Sequence, residues 1–363
     1  MRIVVKFGTS TVTGGAAKIS VSRLADLMGQ VGSLLGAGHQ VAIVSSGAIA
    51  AGREVLDFPS FPKHIPKKQM LAAVGQPKLM ALYQEVCAPL GLVTAQVLLT
   101  RSDLDDRSRY LNARNTLVGL LEQGIVPVVN ENDTVATKEI KVGDNDNLSA
   151  LVACLVNAEL LILLTDQDGI YTADPSKDPE ARLVPEVSGE FPDWLWKAAA
   201  GAGELGTGGM YTKVEAAQLA TRSGCAVTIA NGCVTNVMAD IAKGSKLGTW
   251  FQPFVSTLES RKTYILASGR VGGAISVDRG AERAMRKGGS LLSAGITRVE
   301  GDFDRGETIK VLDEKHKEFA RGIANYTSRD LGRLCGRQSD EIEAILGYHY
   351  GDEIVHHDDL ILL

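Results

Sequence analysis

Gly143-Asp144-Asn145-Asp146-Asn147 opens onto the helix-spaced apolar run Leu148–Val156, and Leu160-Leu161-Ile162-Leu163-Leu164 then runs into Thr165-Asp166-Gln167-Asp168-Gly169. The five-residue apolar run is too short for a helix. Bounded by polar, turn-forming residues, it reads as a strand buried on both faces, as in a parallel sheet. Further on, Gly206-Thr207-Gly208-Gly209-Met210-Tyr211-Thr212-Lys213 closes a glycine-rich loop on a lysine at the head of a helical pattern. An acidic, amide-rich helix start, a polar strand end and a glycine loop carrying a lysine together describe a nucleotide-phosphate site at the carboxyl ends of a parallel sheet. They point to phosphoryl transfer.

The same alternation extends outward. Arg2–Phe7, Val41–Ser45, Leu92–Leu99, Ile125–Asn130 and Ala226–Ala230 read as strands. Between them, Leu24 to Leu35, Lys67–Pro89, Asp105–Gln123, Asn147–Asn157 and Lys213–Ser223 carry helical spacing, with Ser20 or Ser22 placed to cap the first. Continuous apolar strands separated by helices predict an α/β fold, a three-layer sandwich with a mostly parallel central sheet. Residues 174–209, with four prolines and the Trp194/Trp196 pair, break the pattern. They read either as an excursion that closes over a ligand or as a plain surface loop. After Ser256–Arg261, short β-like runs appear between glycine turns: Thr263–Ala267, Ala274–Val277, Gly295–Val299, Glu307–Leu312 and Ala320–Ala324. They predict a small, mostly β domain. The expected division is a first domain over 1–256, a linker over 257–270, a second domain over 271–350 and a tail over 351–363.

Composition narrows the function classes. The chain has 363 residues, enough for two domains at roughly 150 residues each. Aromatics are only 5%, so aliphatic residues must fill the core, and a net charge of −5 argues against a general polyanion binder. The five cysteines include no C-x-x-C pair, and Cys87, Cys154 and Cys225 lie in apolar stretches. Reduced, buried thiols in a cytoplasmic protein are expected rather than disulfides or a zinc site. The chain opens directly on the strand-like Ile3-Val4-Val5, so no secretory signal is expected. No apolar run approaches the roughly 20 residues of a membrane span.

Five stretches carry the candidate chemistry. In Lys6-Phe7-Gly8-Thr9-Ser10, small residues after a strand let the backbone approach a phosphate while Lys6 projects at the strand's end. Taken alone, Lys6 is more plainly a strand lysine reaching solvent. Ser46-Gly47 starts a helix whose free N–H groups suit a carboxylate or phosphate, and Ser46 also reads as a simple cap. Asn130-Glu131-Asn132-Asp133 ends a buried strand with four polar side chains. Asp133 or an asparagine there suits a ligand ammonium, although an Asx turn explains any one of them. Asp146 is placed to orient lysines, and Asn145 to hold a substrate carboxylate or ammonium. The spacing of a calcium loop is not met. Lys6 and Lys213, from opposite ends of the first domain, would flank a moving phosphoryl group across a solvent-filled cleft.

These motifs, taken in order with Ser45–Arg53 and Val142–Ala150, resemble the amino-acid kinase family and, within it, the glutamate 5-kinases. The tail, through Val277–Ala281, Gly288–Leu292, Gly295-Ile296 and Gly301–Gly306, resembles a PUA domain, which implies a small C-terminal β-barrel. The resemblance implies ATP-dependent phosphorylation of L-glutamate to L-glutamyl 5-phosphate, the first step of proline synthesis. It implies catalytic roles for Lys6, Lys213 and Asp146, and glutamate binding by Ser46, Gly47, Asp133 and Asn145. Lys6, Thr165, Asp166, Thr207, Gly208, Gly209, Met210, Tyr211, Thr212 and Lys213 would hold the nucleotide. ATP with Mg2+, proline as feedback inhibitor, a homo-oligomer and hand-over of the labile product to the next enzyme complete the expectation. The rivals are another amino-acid kinase, acting on aspartate or acetylglutamate, and RNA binding through the tail. From Arg261 to Leu363, 16 Lys and Arg stand against 17 Asp and Glu, which lacks the basic footprint of a nucleic-acid binder.

Overall fold

Strands β1 (Arg2–Phe7), β2 (Gln40–Ser45), β4 (Val126–Glu131) and β5 (Leu160–Thr165) are buried almost end to end, so the apolar runs of the sequence become the middle of a sheet covered on both faces. The structure is a computed structural model that describes residues 1–58, 64–136, 144–175, 177–200, 209–255 and 271–363. Thr207, Gly208, the strand expected at Thr263–Ala267 and the linker expected at 257–270 lie outside the described residues.

With β3 (Thr94–Leu99), β6 (Glu186–Val187), β7 (Ala226–Asn231) and β8 (Thr249–Phe251), these strands form an eight-stranded sheet in the order β3-β4-β2-β1-β5-β7-β8-β6. Every pairing is parallel except β7 with β8. Helices α1 (Thr9–Thr13), α2 (Val21–Gly36), α3 (Ala48–Val55), α4 (Ile65–Cys87), α5 (Arg101–Asp105), α6 (Arg107–Glu122), α7 (Asp144–Leu155), α8 (Asp193–Ala200), α9 (Met210–Arg222) and α10 (Val237–Ala242) alternate with the strands. Strands β2 to β4 build out on one side of β1, and β5 begins the other side. The carboxyl ends of β1, β2 and β5 therefore surround a topological switch point, where open α/β sheets bind ligands.

Ser20 caps α2 as expected, accepting from the Arg23 backbone N–H at 3.3 Å. Ser46 does not cap α3. That position falls to Gly47, whose φ of +118° only glycine adopts readily. Residues 174–209 are not a bare excursion: β6 joins the sheet edge beside β8, and Trp196 of α8 packs on Tyr211 with ring centroids 5.4 Å apart.

Helices α3 and α4 meet backbone to backbone. A methyl group on Gly75 would lie 1.8 Å from the Ala48 carbonyl oxygen, and one on Gly52 1.9 Å from that of Leu71. Neither backbone can give locally, so Gly75→Ala must spread the two helices. A loss of about 3 kcal/mol is expected in the denaturant midpoint, at the upper end for overpacking. A stability within about 0.5 kcal/mol of the parent would disprove the close crossing.

The chain divides into two compact units, Met1–Asp105 with Ala113–Thr257, and Asp106–Asn112 with Leu258–Leu363. The second is mostly β, as expected. Its five-stranded sheet runs in the order β11 (Ile296–Gly301), β9 (Val271–Val277), β12 (Thr308–Leu312), β13 (Glu318–Ile323), β15 (Leu360–Leu362), and β10 (Leu291–Leu292) pairs with β14 (Glu353–Val355). Three short helices, α11 (Arg279–Arg286), α12 (Ser328–Leu334) and α13 (Ile342–Leu346), accompany these strands. Ile275, Val277, Phe303, Val311, Tyr326 and Ile354 are among the buried residues of its own core. All five cysteines are free; Cys87 and Cys225 are buried and Cys233 is exposed. No helix among the described residues is long and apolar enough to cross a membrane.

Candidate active site

Lys6 is the penultimate residue of β1, Asp146 sits in the first turn of α7, and Lys213 sits in the first turn of α9. The fold brings all three together. Lys6 Nζ lies 2.7 Å from Asp146 Oδ1, and Lys213 Nζ lies 3.2 Å from Asp146 Oδ2. The Thr212 hydroxyl donates to the same Oδ2 at 2.7 Å, and Lys213 Nζ also reaches the Gly209 carbonyl at 3.4 Å. One carboxylate thus holds two ammonium groups from distant parts of the chain, and the trio keeps a net positive charge.

These groups are buried rather than spread across a solvent-filled cleft: Lys6 is 5% exposed, Lys213 8% and Asp146 not at all. Burial pushes the Lys6 ammonium below its usual range, with Lys213 adding to the shift and Asp146 opposing it. Burial alone would raise the Asp146 carboxyl, but the two lysines outweigh it and hold the group below the usual carboxylate range.

The trio lines a cavity of about 340 Å³ together with Gly8, Thr9, Ser10, Ser46, Asn145, Thr165, Asp166, Gly209 and Met210. Gly8 suits this wall, since a methyl group there would come within 3.1 Å of Lys6 Nζ. Gly209, with φ of +82°, turns the chain into α9 so that Thr212 and Lys213 face Asp146. Asp166, at the end of β5, accepts from the Thr165 hydroxyl at 3.1 Å and pairs with neither Lys6 nor Lys213.

Of the residues expected around glutamate, Ser46 and Asn145 meet: Asn145 Nδ2 donates to Ser46 Oγ at 2.8 Å, and both line this cavity. Gly47 follows as the cap of α3. Asp133 lines a second cavity of about 250 Å³, with Ala72, Gln76, Gln96 and Glu131. The two cavities are joined by hydrogen bonds, because Asn130 Oδ1 accepts from Asn145 Nδ2 at 2.9 Å and Asn130 Nδ2 donates to Gln76 Oε1 at 2.8 Å. Burial pushes the Asp133 carboxyl up to about 6, with Lys68 opposing.

Sequence reasoning missed Gln76, Gln96 and Tyr83. Tyr83 is fully buried on α4, and its hydroxyl donates to Ser45 Oγ at 2.7 Å, bracing the turn that carries Ser46. The signal for Gln76 was present: it interrupts the apolar stripe Ala72, Leu79, Met80 and Tyr83 with an amide. A polar group at such a position needs a buried partner.

A sheet with its lysine-bearing strand end at the switch point, paired through one carboxylate to a second lysine beyond a glycine loop, defines a phosphoryl-transfer fold of the amino-acid kinase kind. The chain belongs to the amino acid kinase family, whose profile matches residues 1–231, and a PUA domain profile matches residues 273–346. It is 51% identical to a glutamate 5-kinase of Deinococcus radiodurans, with all of both chains covered. It is 52% identical to one of Photobacterium profundum, over 99% of this chain and 96% of that one. A third, from a Thermoanaerobacter species, is 48% identical over 100% of this chain and 98% of its own.

Proposed function

We propose that the chain phosphorylates the side-chain carboxylate of L-glutamate with ATP, yielding L-glutamyl 5-phosphate and ADP at the first step of proline synthesis. The observation that carries this reading is the Lys6–Asp146–Lys213 cluster lining a cavity at the strand ends, in a chain about half identical to glutamate 5-kinases over its full length. ATP turnover measured side by side with glutamate, aspartate and acetylglutamate tests it. Glutamate should be preferred by about a hundredfold or more in kcat/KM, and preference for either of the others would overturn it.

The chemistry suits the site. A glutamate carboxylate, with a reference pKa of about 4.3, is already a nucleophile at neutral pH, so no general base is required. The work left to the protein is alignment and charge stabilisation. Lys6 and Lys213 would sit against the oxygens of the transferring phosphoryl group, where charge spreads in the transition state. Asp146 holds the two ammonium groups apart from bulk water and in register. Thr165, Asp166 and the 207–213 loop would hold the nucleotide, while Ser46, Gly47, Asn145 and Asp133 hold glutamate. Magnesium would arrive with ATP and neutralise phosphate oxygens. The residues fit an ion carried by the nucleotide: Asp146 is committed to the lysines, whereas the Asp166 carboxylate lines the same cavity with no lysine paired to it among the described residues.

Asp133 gives this reading a pH signature. With its carboxyl near 6, it is ionised at pH 8 and protonated at pH 5, and only the ionised form pairs with the substrate ammonium. The glutamate KM should therefore climb by about tenfold per pH unit below 6. Asp133→Asn should show a high KM at every pH with this acid limb gone, while the ATP KM stays put. An unchanged acid limb in that variant would remove Asp133 from the substrate site.

Proline keeps the α-carboxylate and amine of glutamate but lacks the side-chain carboxylate, so it would occupy part of the glutamate site, with the segment around 58–68 nearby; residues 59–63 of it lie outside the described residues. Initial-rate patterns should show proline competing with glutamate. Inhibition independent of glutamate concentration would place it elsewhere. A homo-oligomer, transfer of the labile acyl phosphate to the next enzyme, and residence in the cytoplasm, where free thiols persist, belong to the same reading. So does the division into a kinase domain over 1–256, a linker over 257–270, a PUA-like domain over 271–350 and a tail over 351–363, the last carrying β14 and β15.

A further inference from the structure

We propose that Gln76 is a positioning residue: through Asn130 it holds the Asn145 amide with its carbonyl turned toward the ligand, and so sets the site's demand for a substrate ammonium group. This rests on the reading of Asn145 as a glutamate-binding residue.

Four side-chain amides form a chain from one cavity to the other. Gln76 Nε2 donates to Gln96 Oε1 at 3.2 Å, Asn130 Nδ2 donates to Gln76 Oε1 at 2.8 Å, and Asn145 Nδ2 donates to Asn130 Oδ1 at 2.9 Å. An amide can be turned end for end, so the direction of such a chain needs an anchor. The backbone provides one. The Glu131 N–H donates to Asn130 Oδ1 at 2.9 Å, and a backbone N–H can only donate. Asn130 Oδ1 is thereby fixed as the acceptor end, and its Nδ2 must face Gln76.

Each later polarity follows. Asn145 must present Nδ2 to Asn130 and to Ser46 Oγ, which leaves its Oδ1 buried with no partner among the described residues. Turning Asn145 round would set two carbonyl oxygens against each other. The orphaned acceptor belongs to a residue that lines the cavity, and an unpaired buried acceptor there favours a ligand that donates. An α-ammonium, with three N–H groups, meets that need.

Gln76 and Asn130 are 8% and 2% exposed, so water cannot easily replace either partner. Without the Gln76 carbonyl, Asn130 Nδ2 becomes an unpaired buried donor, and rotation of Asn130 away from Glu131 would release Asn145. The crossing of Gly75 with Ala48 fixes the backbone beside Gln76, so the side chain starts from a rigid point. Gln96 is exposed, so its amide can reverse freely. That freedom separates two substitutions. Gln76→Glu keeps the acceptor for Asn130 and lets Gln96 turn to donate. Gln76→Met keeps the length and removes the acceptor.

Steady-state kinetics on the full chain test this with Gln76→Met, Gln76→Glu, Asn145→Ala and the Gln76→Met/Asn145→Ala pair, with glutarate, which lacks the ammonium, as competitive inhibitor. Gln76→Met should raise the glutamate KM by about tenfold or more while the ATP KM and the glutarate inhibition constant stay within about twofold. Gln76→Glu, which keeps the acceptor for Asn130 but brings a carboxylate beside Glu131 and Asp133, should raise the glutamate KM by less than Gln76→Met does. In the pair, Gln76→Met should add less than about twofold to Asn145→Ala, because it acts through that residue. Full multiplicative effects in the pair, equal rises in both KM values, or a Gln76→Glu as impaired as Gln76→Met would each overturn the proposal. If Asn145→Ala raises the glutamate KM and Gln76→Met does not, the positioning role alone fails. If Asn145→Ala leaves it unchanged, the underlying reading fails and the proposal with it.

Discussion

Replacing Asp146 with alanine should lower turnover by about a thousandfold and destabilise the fold by about 3–5 kcal/mol, the range for removing one partner of a buried ion pair. The carboxylate is fully buried and faces Lys6 at 2.7 Å, Lys213 at 3.2 Å and the Thr212 hydroxyl at 2.7 Å. Without it, two buried ammonium groups confront each other and lose the common anchor that sets their spacing. The stability loss has a pH signature whose sign is fixed. Burial already pushes Lys6 below its unfolded range, and losing Asp146 removes the group that opposes this. The unfolded chain then binds more protons than the folded one between the two pKa values, so the variant gains stability as pH rises toward the ordinary lysine range. Denaturant unfolding of parent and variant from pH 7 to pH 10 should show the gap closing. A gap that widens with pH would mean that buried lysine charge is not what destabilises the variant.

Strand and helix order in the first unit was legible because burial on both faces leaves a short unbroken apolar run bounded by turn-forming residues, as in Leu160–Leu164. The cluster of Lys6, Asp146 and Lys213 was legible as three separate motifs, each weak alone; their spacing through the sheet had to come from the strand order. What the sequence hid was the environment. Lys6 reads as a lysine reaching solvent, yet Asp146 makes its burial tolerable, and a partner 140 residues away leaves no local trace. Ser46 reads as a helix cap, but Gly47 takes that position because the chain turns with positive φ, freeing the Ser46 hydroxyl to accept from Asn145. The amide chain through Gln76 and Asn130 was invisible for a related reason. Its members come from α4, β3, β4 and α7, and only β4 and α7 contributed motifs, so the links through Gln76 and Gln96 left no trace. Short edge strands such as β6 carry too few residues to show a period.

Lys213→Ala should cut turnover by two or more orders of magnitude, a loss of about 3 kcal/mol or more in transition-state stabilisation, and leave the protein folded. The reason for the intact fold is the residual pairing. Asp146 keeps Lys6 at 2.7 Å and the Thr212 hydroxyl at 2.7 Å, so no buried charge is orphaned, in contrast to the Asp146 variant. The melting temperature should therefore fall by only a few degrees while catalysis collapses. Lys213 also stands among the nucleotide-holding residues, so the ATP KM should rise, but if the ammonium acts on charge that develops during transfer, most of the damage belongs in kcat. Lys213→Arg should not restore activity. The site holds a compact head between the Asp146 carboxylate and the Gly209 carbonyl at 3.4 Å, and a planar guanidinium distributes its donors differently. Turnover within about tenfold of the parent in Lys213→Ala would remove this lysine from the transition state. A rise confined to the ATP KM would recast it as a group that binds nucleotide without assisting the transfer.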